Sequence, residues 1–188
     1  MTYLIDTSAL HRLRHPAVLA VLGPLIEAGR VAMCPVSELE TLYSARNLAE
    51  YEAGAQRFRL AFTWIPVAER AWDRAAEVQH ELARRGQHRA ASIPDLLLAA
   101  TAELQRLTVL HYDRDFDTIA TVTGQPTKWV VPAAPPTDQA VAGRAVAVRD
   151  WWRQCRAAAA LIRMPVAAGM KVSQLSECGA IAAAPMVA

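Results

Sequence analysis

Short apolar runs alternate with longer stretches of helical period through the first two thirds of the chain. Tyr3-Leu4-Ile5 is an apolar run that stops at Asp6, where Thr7 or Ser8 is placed to cap a helix. Pro16 suits the first turn of a helix running to about Ala28, and Gly29 stops it. Val31-Ala32-Met33 reads as a second strand, followed by a helix from Pro35 through Arg46 and another over 50–62. Trp64-Ile65 is a brief extended piece, and 68–85 a long amphipathic helix closed by Gly86. Ile93-Pro94-Asp95 leads into a helix over 95–106, whose Leu96, Leu97, Leu98 and Ala99 are too apolar for a surface. Thr108-Val109-Leu110-His111 and the run from Lys128 to Val131 are the last two strands. Strands this short and this apolar, separated by helices, indicate an α/β fold around a buried parallel sheet.

The pattern breaks near Pro132, where Pro135 and Pro136 follow among Ala and Thr. This predicts a domain over 1–133 and an extension over 134–188, beginning with a linker at 134–142. Residues 141–163 favour a helix, with Trp151, Trp152, Cys155 and Ala159 on a rough stripe, and Pro165 ends it. Charge follows the same division. Residues 1–133 carry 14 basic and 15 acidic side chains, and 134–188 carry 6 and 3, within a whole-chain net of +2. Such a balance excludes nucleic-acid binding by bulk charge and leaves room for a local basic face. The three cysteines, Cys34, Cys155 and Cys178, form no close-spaced pair, so neither a disulfide framework nor a zinc site is expected. No basic segment followed by an apolar one opens the chain, and Arg163 and Pro165 interrupt the apolar stretch near its end. A cytoplasmic protein without a membrane span is the expectation.

The acids carry the chemistry. Asp6 falls at the carboxyl end of the first strand, the edge where open α/β sheets bind ligands. Asp113 and Asp115 follow the strand ending at His111 and reach the same edge, Asp95 begins a helix, and Glu40 lies one turn inside another. Taken singly, each has a plainer reading: Asp6 and Asp95 as helix caps, Glu40 on a solvated face, Asp113-Arg114-Asp115 as turn residues. Taken together they form a mutually repelling cluster that a hard divalent cation, Mg²⁺ or Mn²⁺, would relieve. Such an ion activates water and stabilises charge on a phosphate, which points to phosphodiester hydrolysis. The histidines His11, His15, His80, His88 and His111 show no ligand spacing.

The acidic segments also occur in a recognisable order. Leu4-Ile5-Asp6-Thr7-Ser8-Ala9, Ser37-Glu38-Leu39-Glu40-Thr41, Ile93-Pro94-Asp95-Leu96-Leu97-Leu98 and His111-Tyr112-Asp113-Arg114-Asp115-Phe116 resemble the four motifs of the PIN-domain ribonucleases. The resemblance is greatest to the VapC toxins of bacterial toxin–antitoxin pairs and covers roughly residues 2–132. It implies a PIN-like fold and an Mg²⁺- or Mn²⁺-dependent endoribonuclease with an RNA substrate, a cognate antitoxin and a homodimeric state. It further implies Asp6, Glu40 (rather than Glu38), Asp95 and Asp113 as metal ligands, with Asp115 as an auxiliary catalytic acid. Thr7 or Ser8 would orient a ligand. Arg89 and Arg114 lie beside two of the acids and suit RNA phosphates, or simply offset the acidic charge. Arg46, Arg84 and Arg85 complete an expected basic rim. Two other readings remain open here: a degenerate domain that only binds RNA or a partner, and another acidic metal nuclease or phosphoesterase.

Overall fold

Strand β1 (Tyr3–Ile5) lies at the centre of a five-stranded parallel sheet in the computed structural model, which describes residues 2–132. The expected linker at 134–142 and helix over 141–163 lie outside the described residues. Along the chain follow α1 (Thr7–Leu10), α2 (Pro16–Glu27), β2 (Val31–Met33), α3 (Pro35–Leu42) and α4 (Leu48–Ala61). Then come β3 (Thr63–Trp64), α5 (Glu69–Arg84), α6 (Ile93–Leu104), β4 (Thr108–His111), α7 (Asp115–Thr123) and β5 (Thr127–Trp129). The spatial order is β3-β2-β1-β4-β5. Leu4 is in register with Ala32 on one side and Val109 on the other. The chain therefore winds outward from β1 through β2 and β3, returns to β1's free edge as β4, and winds outward again. That reversal opens a crevice between the carboxyl ends of β1 and β4.

Side-chain alternation along these strands feeds two cores. Leu4, Ala32 and Val109 pack on one face with Ala71, Val78, Leu82, Leu98 and Phe116, drawn from α5, α6 and α7. Ile5, Val31, Met33 and Leu110 pack on the other with Leu10, Leu22, Leu42 and Phe58, drawn from α1 to α4. The central strands are buried on both faces, which is why they read as continuous apolar runs.

Element limits differ from expectation where capping decides them. Asp6, rather than Thr7 or Ser8, caps α1: its carboxylate accepts the Ser8 N–H at 2.8 Å. Helix α3 stops at Leu42, short of Arg46, and α4 begins at Leu48 because the side-chain Oδ1 of Asn47 accepts the Glu50 N–H at 2.9 Å. Helix α6 starts at Ile93, two residues early, behind the N-cap Ser92. Strand β3 ends at Trp64 and β5 spans Thr127–Trp129 rather than reaching Val131. Helix α7 has no counterpart in the sequence reading, and Gly124 ends it at φ +69°.

Candidate active site

Asp6 is the most buried of the acids, at 4% exposure. Its backbone N–H donates to the Leu110 carbonyl at 2.9 Å, so the end of β1 is tied to the end of β4. Its carboxylate oxygen Oδ2 accepts both the N–H and the hydroxyl of Ser8. The Ser8 hydroxyl in turn accepts the Tyr112 N–H at 2.9 Å, so one serine links the first acid to the segment after β4. Burial pushes the Asp6 carboxyl up to about 7; the Ser8 bonds pull against this, and the charges of Asp95 and Glu40 add to it.

Glu40 reaches this group from α3, where Ser37 fixes the helix by donating to the Ile5 carbonyl at 2.8 Å. Thr7 donates to Glu40 Oε2 at 3.0 Å. Burial raises the Glu40 carboxyl, the Thr7 bond opposes that, and the charge of Asp95 reinforces it. Its neighbour Glu38 is engaged elsewhere, accepting from the Arg59 guanidinium at 3.2 and 3.3 Å. Asp95 sits in the first turn of α6 in a capping box: Oδ2 accepts the Ser92 N–H at 2.8 Å, and the Asp95 N–H donates to Ser92 Oγ at 3.3 Å. The helix-cap reading of Asp95 and its membership of the acidic group are therefore both true, because a capping carboxylate is held rigidly at the helix start.

Asp113 lies after β4, where its Oδ1 accepts the Asp115 N–H at 3.2 Å, and Asp115 opens α7. The buried His111 ring braces this turn, with Nδ1 2.7 Å from the Asp113 carbonyl and Phe116 and Trp129 against its faces. Burial lowers the His111 pKa. Arg12 spans the gap between Asp113 and the other acids. Its Nη1 donates to the Ser8 carbonyl at 2.9 Å, its guanidinium carbon stands 4.0 Å from the Tyr112 ring centre, and the charges of Asp113 and Asp6 both act on it.

Arg89, in the segment before Ser92, and Arg114, at the N-cap of α7, are both exposed. Three arginines of the expected rim are otherwise engaged. Arg46 pairs with Glu50, Arg84 stands 3.5 Å from Glu81, and Arg85 donates to the Thr121 carbonyl at 3.2 Å. Sequence reasoning missed Arg12, Tyr112 and the bracing role of His111. The first two are brought together by the Ser8–Tyr112 bond between distant segments, which leaves no periodic signal. Beside Glu40 an apolar groove of about 290 Å³ opens, lined by Val36, Leu39, Val67, Trp72, Ile93 and Leu97.

The donors facing the crevice are carboxylate oxygens, the set that suits a hard divalent cation. Among the described residues, no three metal-binding side chains stand close enough to share one ion directly. The donor chemistry fits such a cation, as do the neighbouring acidic charges that add to the effect of burial on Asp6 and Glu40.

The pattern of the PIN domain matches residues 3–122. The chain belongs to the PIN-domain family. Among curated PIN-domain relatives, ribonuclease VapC51 of Mycobacterium tuberculosis is 48% identical over 136 residues, covering 71% of this chain and 96% of that protein. Ribonuclease VapC21 of the same species is 42% identical over 129 residues, covering 69% and 94%. The DNA-bound VapBC structure from Salmonella typhimurium superposes with a TM-score of 0.58 at 17% identity, over 70% of this chain and 99% of that one. FitAcB from Neisseria gonorrhoeae gives 0.56 at 21% identity, over 69% and 98%. At those identities the solved structures establish the shared PIN fold. Among the described residues no helix is long and apolar enough to cross a membrane.

Proposed function

We propose that this PIN-domain protein is the toxin of a VapBC-type toxin–antitoxin pair, an endoribonuclease that hydrolyses RNA phosphodiester bonds with Mg²⁺ or Mn²⁺. The observation that carries the reading is the convergence of Asp6, Glu40 and Asp95 beside β1, where burial raises the Asp6 and Glu40 carboxyls and the neighbouring acidic charges add to it. The VapC ribonucleases at 42% and 48% identity support the substrate class.

In this reading residues 1–133 are the nuclease domain, and Asp6, Glu40, Asp95 and Asp113 hold the ion directly or through water. When bound, the ion supplies an acidified water and offsets charge building on the phosphate. The chain's own residues do the orienting. Ser8 fixes Oδ2 of Asp6, Thr7 fixes Oε2 of Glu40, and the Ser92 N–H fixes Oδ2 of Asp95. Burial favours the protonated form of Asp6, and an ion held there would favour its carboxylate. Asp115, next to Asp113 at the start of α7, is an auxiliary acid, while Arg89 and Arg114 face solvent where RNA phosphates pass.

The protein acts in the cytoplasm as a homodimer restrained by an antitoxin chain. Structures of toxin–antitoxin complexes with this fold support that partner. Exposed Leu39, Trp72 and Ile93 offer apolar area for protein contact beside the acids.

The test is RNA cleavage in Mg²⁺ or Mn²⁺, with and without chelator, by the wild-type protein and Asp95→Asn. The substitution keeps size and the cap but removes a charge, so cleavage falls by about a hundredfold or more while the melting curve persists. Undiminished cleavage in chelator or in the variant overturns the metal mechanism. RNA binding without cleavage would identify a binding domain instead.

A further inference from the structure

We propose that Arg12, held over the Tyr112 ring, binds an RNA backbone phosphate beside the scissile one. The inference rests on the ribonuclease reading and goes beyond it, by naming the residue that captures the substrate strand.

Arg12 follows the short helix α1, and its guanidinium is anchored by the residues that anchor Asp6. Nη1 donates to the Ser8 carbonyl at 2.9 Å, and the Ser8 hydroxyl joins Asp6 to the Tyr112 N–H. The guanidinium carbon also stands over the Tyr112 ring, 4.0 Å from its centre. A cation held over a ring and by one nitrogen still has further N–H donors, enough to grip a phosphate in two places. Much of the rotamer entropy of a long side chain is lost before the substrate arrives.

Two observations separate this role from that of an internal counter-ion. The charges of Asp6 and Asp113 reach Arg12, so it stands beside the reacting position. Yet among the described residues Arg12 has no carboxylate within ion-pair distance, whereas Arg46, Arg59 and Arg84 each have one and Arg74 has two. With a net of −1 over residues 1–133, the domain cannot attract RNA by overall charge and needs a fixed cation at the crevice.

The experiment is single-turnover cleavage of a fluorescent single-stranded RNA by the full chain in Mg²⁺, across RNA and salt concentrations. Arg12→Gln, Arg12→Lys and Tyr112→Leu are compared with wild type. For Arg12→Gln the half-saturating RNA concentration rises about tenfold, more than the saturated rate falls, and the salt slope drops by about one. Arg12→Lys keeps the salt slope but recovers only part of the affinity, because it lacks the planar fork. Tyr112→Leu frees the guanidinium and loses affinity with the slope kept. Melting temperatures stay at the wild-type value for both Arg12 variants. An unchanged half-saturation and slope in Arg12→Gln, or a loss that tracks a lowered melting temperature, overturns the proposal and leaves the ribonuclease reading standing. A wild-type protein that cleaves no RNA in Mg²⁺ or Mn²⁺ overturns both.

Discussion

Asp6 couples the site to the stability of the whole chain through one proton. Its folded carboxyl lies at about 7, whereas an unfolded aspartate titrates near 3.9. Between those values the native state keeps a proton that the unfolded chain has lost. The stabilisation is therefore complete below about pH 4, declines as pH rises, and is gone above about pH 7. Without metal, wild-type stability should fall across that window, and Asp6→Asn should lack this component. The variant's advantage, read by denaturant unfolding in chelator, should grow from about pH 4 to about pH 7, level off above that, and reach the order of a few kcal/mol. Parallel pH profiles for the two proteins would show that burial does not hold the proton on Asp6. The acids were legible in the sequence because a carboxylate after an apolar strand is a local pattern. Arg12 was not legible, since its partners Ser8 and Tyr112 meet only when β4 pairs with β1. His111 read as an unassigned histidine for the same reason: Trp129, against its ring, comes from β5.

Among the elements, α6 shows how a local rule serves the site. Ser92 Oγ accepts the Asp95 N–H at 3.3 Å, completing a capping box whose acid faces the crevice. Ser92→Ala should cost about 1 kcal/mol, and Ser92→Gly only a few tenths, both measured as a shifted denaturation midpoint at constant slope. Cleavage should survive in either, because the backbone N–H that fixes Asp95 remains. Helix α7 was hidden for a physical reason. Asp115-Phe116-Asp117-Thr118-Ile119-Ala120-Thr121-Val122-Thr123 is crowded with β-branched residues, whose propensity argues against a helix. Tertiary packing overrides it: Phe116 and Ile119, one turn apart, are both fully buried against the sheet. The parallel sheet, by contrast, was readable because strands buried on both faces have no polar alternation to obscure them.

At the scale of the molecule, the strand order β3-β2-β1-β4-β5 does more than position acids. Asp113 stands near Asp6 only once β4 has paired with β1, and the Ser8–Tyr112 bond closes a loop of 104 residues. Closing long loops is the slow part of folding, while helices form early. On this ground the half-sheet β1-β2-β3 with its covering helices should bring Asp6 and Glu40 together before the second half docks. In an interrupted-refolding experiment, recovery of the helical far-UV signal should precede recovery of RNA cleavage, and simultaneous recovery would contradict this order. A chain emerging from its ribosome would then lack the complete acidic centre until its fourth strand, Thr108–His111, had been made and docked.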